Sequence, residues 1–204
     1  MRSMLRALAL GVALSTPVVS SATTLLPLDV EGLVDRSERV VLARVEDLRV
    51  EVRDTPEGRV VETHVSLWVE ATFLGATTPR RVELVQRGGT AVVSGRQVEH
   101  RVHGAARFER GQRAVVFLER SDAGQLVVTG MRLGLRPVLD GANGPMVPAP
   151  DLAGVEFMVP GGAGARGAVA PAPAPAAETL ARLVARIRAA GAHRVVTPQG
   201  RVKP

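Results

Sequence analysis

The feature that most constrains this chain is a two-residue alternation of side-chain character between positions 63 and 73. The odd-numbered residues from Thr63 to Phe73 are apolar or threonine, whereas the residues between them are polar except for Trp68. Successive side chains of a β-strand point to opposite faces, so this period is typical of a strand with one buried face. We therefore predict a strand over 63–73 whose odd-numbered side chains all face the same side of a sheet.

The preceding segment, residues 39–53, predicts a partner strand that changes phase. Its apolar side chains occupy odd positions at first (Val41, Ala43 and Val45) and even positions afterwards (Leu48, Val50 and Val52). A period of two changes phase only where an extra residue is inserted, so we predict a β-bulge near Glu46 and Asp47. The turn-forming residues 54–58 (DTPEG) then close an antiparallel hairpin.

Further apolar segments predict the remaining strands. They are 82–84, 114–118, 126–128 and the alternating Met131, Leu133 and Leu135. The continuous run 114–118 is typical of a strand buried on both faces, whereas residues 90–110 match no clear strand pattern. We predict a mainly β domain over 23–139, a small five- or six-stranded antiparallel OB-like barrel, because the long bulged strand can serve both ends of such a sheet.

A short helix near the N-terminus and a second one near the C-terminus accompany this predicted barrel. Asp29 is a suitable N-cap for a helix over 29–36, where apolar residues recur at helical spacing. Residues 140–176 are rich in Gly, Pro and Ala, which predicts a flexible linker. Residues 177–191 place apolar side chains at i, i+3, i+4 and i+7, which predicts an amphipathic helix. Residues 192–204 are expected to form a disordered tail.

The C-terminal helix has two interpretations. Its apolar stripe is narrow and lacks the aromatic residues that anchor helices at a membrane interface, which favours docking onto the barrel. Its polar face carries Arg182 and Arg186, and binding to a membrane surface is therefore the alternative.

Residues 1–22 have the pattern of a secretory signal peptide. Its parts are, in order, Arg2 and Arg6, the apolar run 7–14, Pro17 and the small residues 20–22. The apolar run is far shorter than the ~20 residues that a membrane-spanning helix needs. We predict cleavage after Ala22 and an exported protein, periplasmic or secreted, with no transmembrane segment in the mature chain.

The composition excludes several classes of site. The chain has no cysteine, which rules out a disulfide scaffold, a thiol nucleophile and a cysteine-ligated zinc or iron–sulfur centre. Four Phe, one Trp and no Tyr do not supply the stacking platforms that single-stranded nucleic acids need, so no nucleic-acid partner is expected.

Positive charge is concentrated in residues 80–113, where eight arginines stand against three acidic residues. The preceding residues 23–79 have the opposite balance, with eleven acidic and six basic residues. The cluster is interpreted either as a patch for phosphate or anionic glycans, or as a basic hairpin neutralised by the acidic one beside it. The candidate binding residues are Arg80, Arg81, Arg87, Arg96, Arg101, Arg107 and Arg110.

The sequence offers little catalytic chemistry. Glu99, His100 and His103 lie close together, but in a strand an odd spacing sends the two imidazoles to opposite faces, unlike a helical zinc motif. There is no GxSxG elbow, and Ser94-Gly95 lacks the strand-to-helix context that a strained nucleophile needs. Neither nucleotide-phosphate fingerprint is present. We therefore predict no catalytic residue, no metal ligand and no cofactor.

The order of these segments resembles a known group of proteins. The resemblance is carried by LVDRSERVVLARV (33–45), THVSLWV (63–69), FLG (73–75), VELVQRGG (82–89), GAARFERGQRAVVFL (104–118) and TGMRLG (129–134). Its most telling residues are Gly104, Phe108, Gly111, Val116, Phe117 and Leu118. The chain resembles uncharacterised exported bacterial proteins with a small OB-like barrel, which are similar in outline to the netrin-like and metalloproteinase-inhibitor barrels.

This resemblance implies a fold and export, with a binding role. The netrin-like inhibitors of metalloproteinases chelate zinc with an N-terminal cysteine, whereas the predicted mature chain begins at Thr23 and contains no cysteine. The chain departs from that inhibitory mechanism.

Three functions follow as expectations. The leading one is an exported, non-enzymatic β-barrel module that binds an unknown protein or envelope component. The alternative is a binder of anionic polymers or membrane surfaces that uses the arginine-rich face. A metal-dependent hydrolase around His100 and His103 is the least favoured.

Overall fold

The computed structural model describes residues 23–25, 27–56, 58–77, 79–142, 144–151, 155–159, 168–170 and 176–194. The predicted signal peptide, most of the predicted tail and parts of the predicted linker lie outside these residues. The described chain is mainly β and contains two α-helices, α1 (Val30–Arg36) and α2 (Leu180–His193). The mainly β prediction with one helix near each end is confirmed.

The strands are numbered in chain order. They are β1 (Thr23–Leu25), β2 (Arg39–Thr55), β3 (Gly58–Leu74), β4 (Arg81–Arg87), β5 (Gly89–Val93), β6 (Arg96–His100), β7 (Arg113–Arg120), β8 (Leu126–Val128), β9 (Leu135–Pro137), β10 (Leu139–Gly141), β11 (Gly144–Val147), β12 (Val155–Val159), β13 (Ala168–Ala170) and β14 (Glu178–Thr179).

The largest sheet is antiparallel and strongly curled. Its strands follow the order β4-β3-β2-β7-β8, and β9 pairs with the other part of β7. The two outer strands of this path, β4 and β8, bring Cα atoms within 8 Å of each other. The sheet therefore bends back on itself and has an inner and an outer face, while closure into an OB-like barrel stays a prediction.

The long β2–β3 hairpin contains the predicted bulge. Val45 pairs with Leu67 and Asp47 pairs with Ser66, so Glu46 is the inserted residue. The β-bulge prediction is confirmed at that residue.

The expectation that all odd-numbered residues of 63–73 share one face is wrong. Val65 and Leu67 belong to the hydrophobic core on the inner face of the sheet (the inner core), whereas Ala71 and Phe73 pack against the core on its outer face (the outer core). The register of β3 against β2 shifts twice in this stretch and leaves Glu70 as an extra residue at the first shift. A bulge changes the phase of a strand, so the side chains beyond Val69 change faces.

Two hydrophobic cores share the central strands. Val116 and Leu118 of β7 belong to the inner core, whereas Val115 and Phe117 belong to the outer core beneath the helices. The side chains from 114 to 118 are all buried, which confirms the prediction of a strand covered on both faces.

Both helices cover the outer face of the sheet. Asp29 caps α1, because its carboxylate accepts a hydrogen bond from the Gly32 amide at 2.7 Å. Leu183 and Ile187 of α2 are fully buried in the outer core, so the predicted docking of this helix is confirmed. The helix spans Leu180–His193 instead of 177–191, because Thr179 is its N-cap.

The alternation of Met131, Leu133 and Leu135 does not produce the expected strand. Met131–Gly134 is a 3-10 helix, and β9 begins only at Leu135. Gly130 and Met131 both have positive φ angles, 63° and 58°, which are incompatible with extended backbone. Leu133 is buried from this 3-10 turn and Leu135 from the start of β9, whereas Met131 is only partly buried.

Part of the segment expected as a linker is folded. Strands β10 and β11 pair with each other, and β11 also pairs with β14 just before α2. Val147 is fully buried in the outer core, and this burial holds the segment against the sheet despite its glycines and prolines. Strands β12 and β13 also lie in this segment and pair with each other, and β12 pairs with β1.

Residues 90–110 contain a hairpin that the sequence pattern missed. Strands β5 and β6 pair around Ser94 and Gly95, whose φ angles are 51° and 76°. Two consecutive positive φ angles are the signature of the type I′ turn that joins closely paired strands. The two-residue Ser-Gly turn was the available signal.

Candidate functional site

A basic cleft lies at one end of the curled sheet. It has a volume of about 500 Å³ and lies between the bend from β4 to β5, the end of β6 and the loop 101–112. Three of the seven predicted arginines line it. Its titratable lining residues are Arg87, Glu99, His100, Arg101, His103, Arg107 and Arg132.

Hydrogen bonds join the walls of the basic cleft. The Thr63 hydroxyl of β3 donates to the Gly88 carbonyl at 2.6 Å. The Gln86 side-chain amide of β4 donates to the Ala106 carbonyl at 2.7 Å. The cleft is therefore bounded by the sheet, the β4–β5 bend and the loop 101–112, and hydrogen bonds join these three parts.

Two glycines permit the bend at the base of the cleft. Gly88 and Gly89 have φ angles of 100° and 141°, a region that favours glycine. A Cβ atom on Gly88 would lie 2.8 Å from the His100 carbonyl oxygen, and one on Gly89 would lie 2.6 Å from the Thr63 hydroxyl. The close approach of β5 to its neighbours thus depends on both glycines.

The loop 101–112 is anchored in the inner core. Ala106 is buried there, and Phe108 packs against the same cluster. Arg107 lies between these two residues and is exposed. Its backbone is therefore fixed on both sides while its side chain meets solvent at the cleft.

Positive charge exceeds negative charge in the cleft. Glu99 is its one acidic lining residue, and its carboxylate already accepts hydrogen bonds from Arg101 at 2.7 and 3.1 Å. Arg132 donates to the Asp151 carbonyl at 3.0 Å. Within the described ranges, no carboxylate oxygen lies within 4 Å of the Arg87 or Arg107 guanidinium.

The other predicted arginines lie outside the cleft. Arg81 is ion-paired with Glu46 at 2.9 Å, and Arg110 is ion-paired with Asp47. Arg96 begins β6, beside the Ser94-Gly95 turn. The acidic hairpin therefore neutralises part of the basic segment, as one of the two interpretations expected, and the seven arginines do not form one patch.

Trp68 is a feature that the sequence marked only as an exception to the alternation. It pairs with Arg44 on one side and Arg81 on the other across three strands. The guanidinium carbons of Arg80 and Arg81 lie 5.7 and 5.9 Å from its ring centroid, within cation–π range. Arg80 is thus held at the tryptophan and lies apart from the cleft.

The histidines do not form a metal centre in the described part of the chain. His100 ends β6 and His103 lies in the following loop, and both line the basic cleft. Within the described residues, no group of three or more His, Asp or Glu side chains is arranged to hold a metal ion. The His64 ring nitrogens lie 2.6 Å from Glu83 and 3.3 Å from Glu51, a contact between three strands that the sequence did not indicate.

A charged network attaches α2 to the rest of the fold. Glu178 lies 3.8 Å from the buried Arg136 and 3.4 Å from Arg186, which also contacts Glu31 of α1 at 3.0 Å. Burial lowers the pKa of Arg136 below its ordinary value, and Glu178 partly opposes this effect. The hydrogen bond to Glu31 raises the pKa of Arg186.

Comparisons with protein-family models, with curated proteins and with solved structures found no match. Within the described part of the chain, neither helix is long and apolar enough to cross a membrane.

Proposed function

We propose that this protein is an exported, non-enzymatic β module that binds a protein or another envelope component through the basic cleft. Export is supported by the signal-peptide pattern of residues 1–22, and a binding role is supported by the resemblance to exported OB-like barrel proteins. The chemistry available in the cleft is charge recognition, because guanidinium groups line it and the Thr63 hydroxyl is bonded to the main chain.

One observation carries the proposal: the fold brings Arg87, Arg101 and Arg107 together around a concave surface. Arg87 ends β4, whereas Arg101 and Arg107 both lie in the loop 101–112 that follows β6. Concave sites with a few convergent polar groups are where proteins usually bind their ligands. A partner with an acidic group matches the excess of positive charge.

The test is chemical crosslinking and pull-down of the purified protein from its native envelope or culture medium. The double variant Arg101→Gln/Arg107→Gln should lose most of the captured partner. The control Arg182→Gln/Arg188→Gln removes the same charge from exposed positions of α2 and should retain capture. Equal capture of the partner by both variants contradicts the proposal. So does a hydrolytic activity on a model substrate that is reproducible and that a single substitution abolishes.

A second candidate function is binding to anionic polymers or membrane surfaces. It is favoured by Arg87, Arg96 and Arg107, for which the described chain shows no carboxylate partner within ion-pair distance. Since the apolar stripe of α2 is buried, the contact would be made by the β4–β6 region. Retention on heparin or anionic liposomes should then fall steeply with salt, and Arg96→Gln should weaken it as much as Arg107→Gln. Absent or salt-insensitive retention contradicts this candidate.

A further inference from the structure

We infer that the ligand group recognised by the basic cleft is a phosphate. The inference rests on the proposed function and specifies the chemistry of the bound group at the same site. It commits to a ligand with a phosphate monoester, in place of a carboxylate or a neutral glycan.

The size and the fixed walls of the cleft favour a discrete ligand group over diffuse attraction. Its volume of about 500 Å³ falls within the ~300–1,000 Å³ range of small-ligand sites. Hydrogen bonds connect Thr63 to Gly88, Gln86 to Ala106 and the Arg132 amide to the Gly104 carbonyl at 2.9 Å. A site with preformed walls loses little freedom when its ligand binds.

The number and placement of the cations favour phosphate over a single carboxylate. Arg87 lines the cleft from the end of β4, and Arg101 and Arg107 line it from the loop 101–112. A phosphate monoester carries about −1.5 to −2 charges and three acceptor oxygens, which several donors can contact at once. The planar guanidinium fork matches the geometry of phosphate oxygens.

The carboxylate of Glu99 does not occupy all the hydrogen-bond donors of these arginines. It accepts from the Nε and Nη2 atoms of Arg101, which orients the guanidinium, and the Nη1 donors have no partner among the described residues. His100 and His103 each add at least one ring N–H donor to the lining.

Arg107 is the residue most directly prepared for this role. Its neighbours Ala106 and Phe108 pack in the inner core, so the backbone from which its side chain extends is fixed. Arg96 is the matched control, because it belongs to the same basic segment and does not line the cleft.

The experiment is a titration of the purified protein with inorganic phosphate, followed by amide chemical shifts in NMR at constant ionic strength, with chloride as the control anion. We expect saturable shifts centred on Gly88, Gly89 and Gly104. Arg107→Gln should weaken phosphate binding about tenfold, the loss expected for one charge-assisted contact. Arg96→Gln should change it by less than about twofold, as for an exposed charge.

Two results overturn the inference. One is a set of shifts that stay linear in phosphate concentration and spread over the whole basic segment. The other is an equal loss of binding in Arg96→Gln and Arg107→Gln. If phosphate fails to bind while the crosslinked partner is still lost in Arg101→Gln/Arg107→Gln, the proposed function stands and the phosphate assignment falls.

The source of the phosphate is separated in further arms of the same titration. Glycerol phosphate tests a soluble phosphate monoester, and vesicles that contain phosphatidic acid test a lipid whose headgroup is a phosphate monoester, with phosphatidylcholine vesicles as the zwitterionic control. Inorganic phosphate should displace whichever source binds, and about ten times more phosphate should be needed for this in Arg107→Gln. Binding that phosphate does not compete away contradicts the assignment of the cleft.

Discussion

At the scale of single residues, Arg136 shows how a charge is kept inside this fold. It is 3% exposed, and its Nε and Nη2 atoms have no hydrogen-bond partner among the described residues. Its compensating charge is Glu178, which is itself buried. Taking one partner from a buried ion pair is costly, because the remaining charge is left in a poorly solvated site.

We expect Glu178→Gln to lower the free energy of unfolding by about 3 kcal/mol in urea denaturation, since it leaves Arg136 without a compensating charge. Glu31→Gln is the control; Glu31 is an exposed partner of Arg186, and its loss should cost less than about 1 kcal/mol. Adding Arg136→Met to Glu178→Gln should restore most of the lost stability. A double variant as unstable as the single one would show that Glu178 acts other than through Arg136.

A second residue-scale prediction concerns pH. Burial raises the pKa of Glu119 above its ordinary value, and Arg36 partly opposes this effect. A carboxyl whose pKa is raised by folding costs no stability below its unfolded-state pKa and destabilises the fold as the pH rises through the raised value. Glu119→Gln should therefore raise the melting temperature at pH 7 and leave it nearly unchanged below pH 4.

Glu109→Gln provides the matched control for Glu119→Gln, because it changes an exposed carboxyl in the loop before β7. An equal gain from Glu119→Gln at both pH values would contradict the assigned cause.

At the scale of elements, local periodicity located β2, β3, β4, β7, β8 and α2, but it did not locate the other strands or every change of face. The Glu46 bulge was predictable because apolar residues follow both phases around it. The change of face after Val69 was not, because Ala71 and Phe73 continue the same alternation in the sequence. Ala71 and Phe73 turn to the outer face because they pack there against the outer core beneath the helices.

The docked state of α2 gives a prediction at this scale. Ile187 is fully buried between the helix and the outer face of the sheet. Ile187→Ala should lower the free energy of unfolding by about 3 kcal/mol, since it removes buried methyl groups and leaves a cavity. Arg188→Ala, on the exposed side of the same helix, should change stability by less than about 0.5 kcal/mol. The free energies of unfolding are measured by thermal or urea denaturation. Equal losses in Ile187→Ala and Arg188→Ala would contradict docking through the apolar stripe of α2.

At the scale of the whole molecule, export is the property that sequence alone predicts. Expression of the full-length chain in a bacterial host with fractionation should give a periplasmic or secreted product that begins at Thr23. N-terminal sequencing and intact mass measure this directly. A product that keeps Met1 and stays in the cytoplasm would contradict the signal-peptide assignment.

The candidate site was only partly predictable. The sequence indicated the basic segment and its seven arginines, because charge density can be counted along a chain. It did not separate Arg87, Arg101 and Arg107 in the cleft from Arg81 and Arg110. That separation depends on carboxylates that lie 35 and 63 positions away in the chain.

The sequence by itself determined the mainly β class, the bulge at Glu46, the double burial of 114–118 and the docking stripe of α2. Each of these follows from local period and residue type, which act over a few neighbouring positions. The tertiary structure decided the change of face in β3, the burial of Arg136 and the assembly of the basic cleft. These depend on the partners that strand register and loop anchoring bring together from distant parts of the chain.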